Sequence, residues 1–161
     1  MDYQLNVNIT VNQDQLAALM ETLSDLDPIL LGVVQPYLQQ QAKELWDTKG
    51  ASVGEPWEPN KPITEIIKTR LGYPLIQMVR SGTLQDAIGQ VLANGENSIV
   101  VGVNTSEAPY AWKHQEGDDS EHLPRRVMVG ITDSQVQTLV ERIAEFITLR
   151  SGLDPSAVTI S

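Results

Sequence analysis

The sequence predicts an α+β fold: a small antiparallel sheet with a β-hairpin packed against helices, plus a long irregular arm. Three observations predict it. Residues 5–11 alternate apolar and polar, Asn94-Gly95 stands as a hairpin turn between two apolar runs, and residues 133–150 repeat apolar positions at helical spacing. The order is strand, helices, arm, hairpin, strand, helix, which is an α+β pattern and not an alternating βαβ one. At 161 residues the chain reads as one domain, 1–161, long enough to bury a core.

The elements follow in order. Leu5, Val7, Ile9 and Val11 alternate with Asn6, Asn8 and Thr10, as a half-buried strand does. Asn12 offers an N-cap with Gln15 three residues on, and Leu16, Leu19, Met20, Leu23 and Leu26 then predict a helix over 13–25. Asp27-Pro28 is a second start signal, and Ile29, Leu30, Val33, Val34, Tyr37, Leu38, Leu45 and Trp46 continue a stripe that Gly50 closes. Pro36 interrupts it, because its missing N–H and its ring kink or break a helix. Residues 51–75 hold four of the nine prolines and little apolar periodicity. They read as an arm at about 51–75 with a short helix near Thr64–Arg70, and segments this long are usually functional or mobile.

Leu84, Ile88, Val91 and Leu92 lead into the hairpin, which pairs roughly 86–93 with 97–103. Pro109 starts a short helix through Gln115, Asp118, Asp119 and Glu121 form an acidic loop, and Arg126–Ile131 reads as a further strand. Thr132-Asp133-Ser134-Gln135 is a capping-box pattern. Val136, Leu139, Val140, Ile143 and Ile147 share one helical face after it, and Gly152 is the stop. Ala157–Ile160 is a loose end or a short strand.

Composition narrows the function. The chain has no cysteine, so disulfides and thiolate metal sites are excluded. The formal net charge of −10 argues against a nucleic-acid reader, which needs a basic face, and is compatible with a wall past which DNA slides. The polar start, Met1-Asp2-Tyr3-Gln4, carries no leader pattern, and no window approaches the ~18 apolar residues of a membrane span.

Neither a Gly-x-Ser-x-Gly elbow nor a phosphate-cradling glycine loop is present, and no catalytic residue, metal ligand or cofactor site is assigned. His114, Glu116, Asp118, Asp119, Glu121 and His122 are metal-type ligands in one segment, but the histidines are not four apart and the acids lack the EF-hand period. They read as a solvated acidic loop. A small metal-dependent enzyme using the His114–His122 loop is the alternative. An acidic DNA mimic would need acids along one face, and here they scatter. Arg125-Arg126 either grips a carboxylate on a neighbouring subunit or pairs with the acidic loop. Trp57 and Trp112 are core residues or interface anchors.

Four pieces lie in order: Gly54-Glu55-Pro56-Trp57-Glu58-Pro59; Ser81-Gly82-Thr83-Leu84; Tyr110-Ala111-Trp112-Lys113-His114-Gln115-Glu116-Gly117; and Pro124-Arg125-Arg126 with Gly130-Ile131. Together with the final helix they resemble the phage virion morphogenesis (tail completion) family of Mu-like and P2-like tailed bacteriophages, over roughly residues 54–148. Ser81 stands where that family usually has threonine, and Val127-Met128 where it usually has a proline or an aromatic. The resemblance implies a non-enzymatic structural protein of the virion neck, assembled in the host cytoplasm and joining head to tail. It implies a homo-oligomeric ring, a hexamer, around a channel through which DNA passes without specific binding. Other neck, portal-side or tail-tube proteins are the implied partners, with a tail terminator as the nearest variant. Trp57, Tyr110, Trp112, His114, Gln115, Arg125 and Arg126 are the implied interface residues.

Overall fold

The computed structural model describes residues 7–9, 13–95, 97–153 and 158–160. Its elements are β1 Val7–Ile9, α1 Gln13–Ser24, α2 Asp27–Ile29, a π-helical turn Leu30–Val34, α3 Gln35–Asp47, a 3₁₀ turn Ala51–Val53, α4 Pro62–Leu71, α5 Thr83–Asp86, β2 Ile88–Gly95, β3 Ser98–Val103, α6 Ala111–Glu116, α7 Asp133–Ser151 and β4 Val158–Ile160. The fold is α+β. Its strands form two separate two-stranded sheets, β1 with β4 and β2 with β3. Two compact units gather these elements: one takes residues 1–37, 94–99 and 132–161, the other 38–93 and 100–131.

In the first unit β1 and β4 run antiparallel, with Val7 opposite Ile160 and Ile9 opposite Val158. The tail is therefore a strand and not a loose end. The outer residues of the expected first strand, Leu5, Asn6, Thr10 and Val11, and the expected cap Asn12 lie outside the described residues. Pro36 is accommodated without breaking the helical path: the π turn precedes it, and the Gln35 N–H reaches back five residues to the Leu30 carbonyl. Widening one turn in this way removes the demand for a proline N–H, a known origin of π bulges and kinks.

The capping box of α7 forms as its sequence dictates. The Gln135 N–H donates to Thr132 Oγ1 at 3.3 Å, and the Thr132 N–H donates to Gln135 Oε1 at 2.8 Å. α1 packs on α7 through Leu19 and the small buried hydroxyl residues Thr22, Thr148 and Ser151. Each hydroxyl is satisfied by a carbonyl one turn back, and Ser151 Oγ also donates to Thr22 Oγ1 at 3.3 Å. Buried Tyr37 donates to the Gln135 carbonyl at 2.7 Å, with the Arg142 guanidinium 4.9 Å above its ring.

The second unit has one apolar core: Leu45, Trp46, Trp57, Leu84, Ala87, Ala108, Ala111, Val127 and Met128. β2 and β3 form a hairpin, and a connection this short joins only antiparallel neighbours. The short helix expected near Thr64–Arg70 is α4, Pro62–Leu71, with Pro62 at its first position and Gly72 as a left-handed stop at φ 71°. One expectation is corrected here. Residues 126–131 form no strand. Their backbone groups are bonded instead by side chains and a carbonyl from elsewhere in the unit, so no ladder is left to form.

Candidate functional site

The site begins at Gly50. Its φ of 82° is in the left-handed region that glycine favours, and a Cβ there would meet the Glu55 carbonyl and the Trp57 ring. The chain therefore turns sharply after α3. The Gly50 N–H bonds to the Leu45 carbonyl at 2.8 Å, and the Trp57 N–H to the Lys49 carbonyl at 2.7 Å. This lays Trp57 edge-on against Trp46, with centroids 5.2 Å apart at 81°. The indole N–H of Trp57 then donates to the Val127 carbonyl at 2.7 Å, a buried bond spanning 70 residues. Trp57 is only 7% exposed, which corrects its assignment as a surface anchor to one of core packing.

Gln115 makes the next join. Its Oε1 accepts the Met128 N–H at 2.7 Å and the Val129 N–H at 3.1 Å, while its Nε2 donates to the Val129 carbonyl at 3.2 Å. The His114 carbonyl accepts the Arg126 N–H at 2.6 Å. Gly117, at φ 80°, lies so close to the Arg125 backbone that a Cβ would stand 3.0 Å from its nitrogen. The helix α6 and the segment 125–129 are thus stitched together along their length.

The acidic loop is a closed turn. Asp118 and Leu123 exchange both backbone bonds, and Asp118 Oδ1 accepts the Ser120 N–H and hydroxyl and the Glu121 N–H. Those bonds, the Ser120 hydroxyl foremost, hold the Asp118 carboxyl below its ordinary pKa. Lys113 pairs with Glu121 and lies 3.7 Å from Asp118; its hydrogen bond to Glu121 pushes its pKa up. Among the described residues no three histidine or acid side chains come together to hold a metal ion, so the metal-dependent alternative has no ligand set there.

The two arginines part company. Arg125 is exposed and pairs with Glu55 within the same unit, so of the two expected partners, a neighbouring subunit's carboxylate or the acidic loop, the second is not the one it takes. Arg126 is 7% exposed, and its guanidinium donates to the Glu58 carbonyl at 3.2 Å while Nε has no protein partner. Burial pulls its pKa down, and the Glu58 charge partly offsets that. Tyr110 is 43% exposed and Trp112 is 53% exposed, so both remain on the surface.

Arg126 lines a cleft of about 1050 Å³ within the second unit. Ile63, Met78, Leu84, Tyr110, Leu123 and Pro124 supply apolar walls, and Lys61, Lys68, Arg80 and Arg126 set four cations against the acids Glu58 and Glu121. In a chain of net charge −10 this is a local reversal of sign. Lys68 donates to the carbonyls of Ile76 at 2.6 Å and Val79 at 2.7 Å; burial and then Arg126 lower its pKa. His114 also faces this cleft, with Nδ1 buried and unpartnered. Burial, then the Arg126 charge, hold its imidazole below the usual pKa and therefore neutral near pH 7. Such an arrangement attracts anions. No local signal in the sequence shows that Lys61, Lys68 and Arg80 face the same cavity as Arg126.

No helix of the described residues is long and apolar enough to cross a membrane. No family model, no curated protein and no solved structure matches the chain.

Proposed function

We propose that this chain is a structural subunit of a tailed-phage neck, joining head to tail as a ring of six copies around the DNA channel. One observation supports the reading above the others: the four segments that carry the resemblance to tail completion proteins converge in space. Trp57, Leu84 and Ala111, one from each of the first three segments, share one core with Val127, which lies between the two parts of the fourth. Trp57, Gln115 and His114 make the bonds that hold residues 126–129. Motif residues used in this way define a scaffold, and their spacing in sequence reflects mutual packing and not a catalytic set.

Exposed Tyr110 and Trp112 are the anchors for contacts between copies or with the layer above or below. Gln115 is absorbed by internal bonds and Arg125 by Glu55, so they carry less of that role. A chain of net charge −10 offers passing phosphates little positive surface against which to release counterions. The test is electron microscopy of virions made without this protein. Separate heads and tails are expected, and normally joined particles would overturn the reading. Tight, salt-sensitive DNA binding by the assembled protein would overturn the unsticky channel alone.

A further inference from the structure

We propose that the cleft of the second unit is a docking site for an acidic side chain carried between apolar residues on a neighbouring protein chain, anchored by Arg126. This deepens the assembly reading by naming the chemistry of the partner segment.

The charge of Arg126 is buried and only partly offset by Glu58. Arg126 is 93% covered, yet among the described residues no carboxylate approaches within the 4.0 Å of an ion pair. Its side chain makes a single hydrogen bond, to the Glu58 carbonyl, and Nε is left over. A buried charge without a partner is costly, and proteins almost always supply one. The adjacent Arg125 shows the ordinary solution, an exposed pair with Glu55. A second orphan lines the same cleft: His114 Nδ1, also buried and unbonded. Lys68 uses two of its three protons on carbonyls. An under-bonded guanidinium beside an ammonium with a proton to spare asks for an anion.

The walls choose which anion. Ile63, Met78, Leu84, Leu123 and Pro124 are apolar, and the cleft volume is at the top of the ~300–1,000 Å³ typical of small-molecule sites. A compact hydrated phosphate would leave those walls wet. A segment with one carboxylate between apolar side chains covers them and meets the guanidinium fork, for which a carboxylate is a geometric match. Charge complementarity points the same way, since subunits as rich in acids as this one, with 21 against 11 basic residues, present carboxylates to their neighbours.

The full-length chain is titrated by calorimetry with three probes: an acetylated, amidated pentapeptide with a central glutamate between valines, its glutamine counterpart, and inorganic phosphate. Wild type is expected to bind the glutamate peptide at least tenfold more tightly than the glutamine one. That advantage is expected to vanish in Arg126→Gln, shrink in Arg126→Lys, and persist in Arg125→Gln. Equal binding of the two peptides by wild type, including none at millimolar concentration, overturns the proposal without recourse to any variant. So does phosphate binding tighter than the glutamate peptide, or an advantage that survives Arg126→Gln. Virions that join normally without the protein, alongside the expected peptide pattern, would sink the neck reading and leave the docking site standing.

Discussion

The two units of this chain are held together by different means. The first relies on helices whose contacts are small: Thr22, Thr148 and Ser151 sit where α1 meets α7, and each hydroxyl bonds back into its own helix. The second relies on a tryptophan pair and on side-chain bonds that reach far along the chain, from Trp57 to Val127 and from Gln115 to Met128 and Val129. Helical hydrogen bonds in the first unit survive the loss of any one contact. In the second, removing a single side chain orphans backbone groups in a segment that has no ladder of its own.

The sharpest way to break this contrast is Trp57→Ala. It removes the edge-on ring contact and leaves the Val127 carbonyl unpaired, so a loss of about 3–5 kcal/mol is expected in denaturant unfolding followed by tryptophan fluorescence. A loss near that of a surface substitution would mean the core does not depend on the pair. Gln115→Ala comes next, at about 1–3 kcal/mol for the unsatisfied amides it leaves. Hydrogen exchange at Met128 and Val129 reads it directly, and unchanged protection there would show that the segment holds by packing alone.

Thr132→Ala tests the first unit. Loss of a capping-box residue costs roughly 1 kcal/mol, with fraying confined to the first turn of α7. Exchange that quickens along the whole helix would make the first unit as brittle as the second.

A weaker, pH-dependent effect belongs to His114. Its imidazole is held below the ordinary 6.5 by burial and by Arg126, so below that value the unfolded chain binds more protons than the folded one. Stability should fall as pH is lowered through that window and recover as it rises, and His114→Gln should flatten the slope. Midpoints of denaturant unfolding between about pH 7.5 and 5 check this, since histidines titrate there. Asp118 acts in a separate range: its stabilising contribution is present above 3.8 and is lost as pH falls below it. The smallest effect is expected from Arg125→Gln, under ~1 kcal/mol, because both partners of its pair are about half exposed, at 52% and 47%.

The same contrast explains what could be read in advance. Helix α7 was legible because its cap, its stripe and its stop are all local, from Thr132 to Gly152. The hairpin was legible from Asn94-Gly95 for the same reason. Helix α4 was legible in outline: the short helix expected near Thr64–Arg70 runs from Pro62 to Leu71, and Pro62 and Gly72 are ordinary start and stop residues. The segment 126–131 has the composition of a strand, and only the distant Trp57 and Gln115 keep it from becoming one. Trp57 and Trp112 looked alike; the turn at Gly50 carries the first into the core and leaves the second outside. The cleft was hidden because its cations come from well-separated parts of the chain, Lys61 to Arg80 and then Arg126.

The pairing of β1 with β4 bears on how the protein is made. Residues 7–9 leave the ribosome well before their partners at 158–160. At roughly 5–20 residues per second the first strand waits many seconds for its match. During that wait its edge is open, and closing so long a loop is slow compared with forming α1 or the hairpin. The second unit, by contrast, is complete once residue 131 has emerged. Synthesis therefore imposes an order, with the stitched core forming before the sheet of β1 and β4 closes.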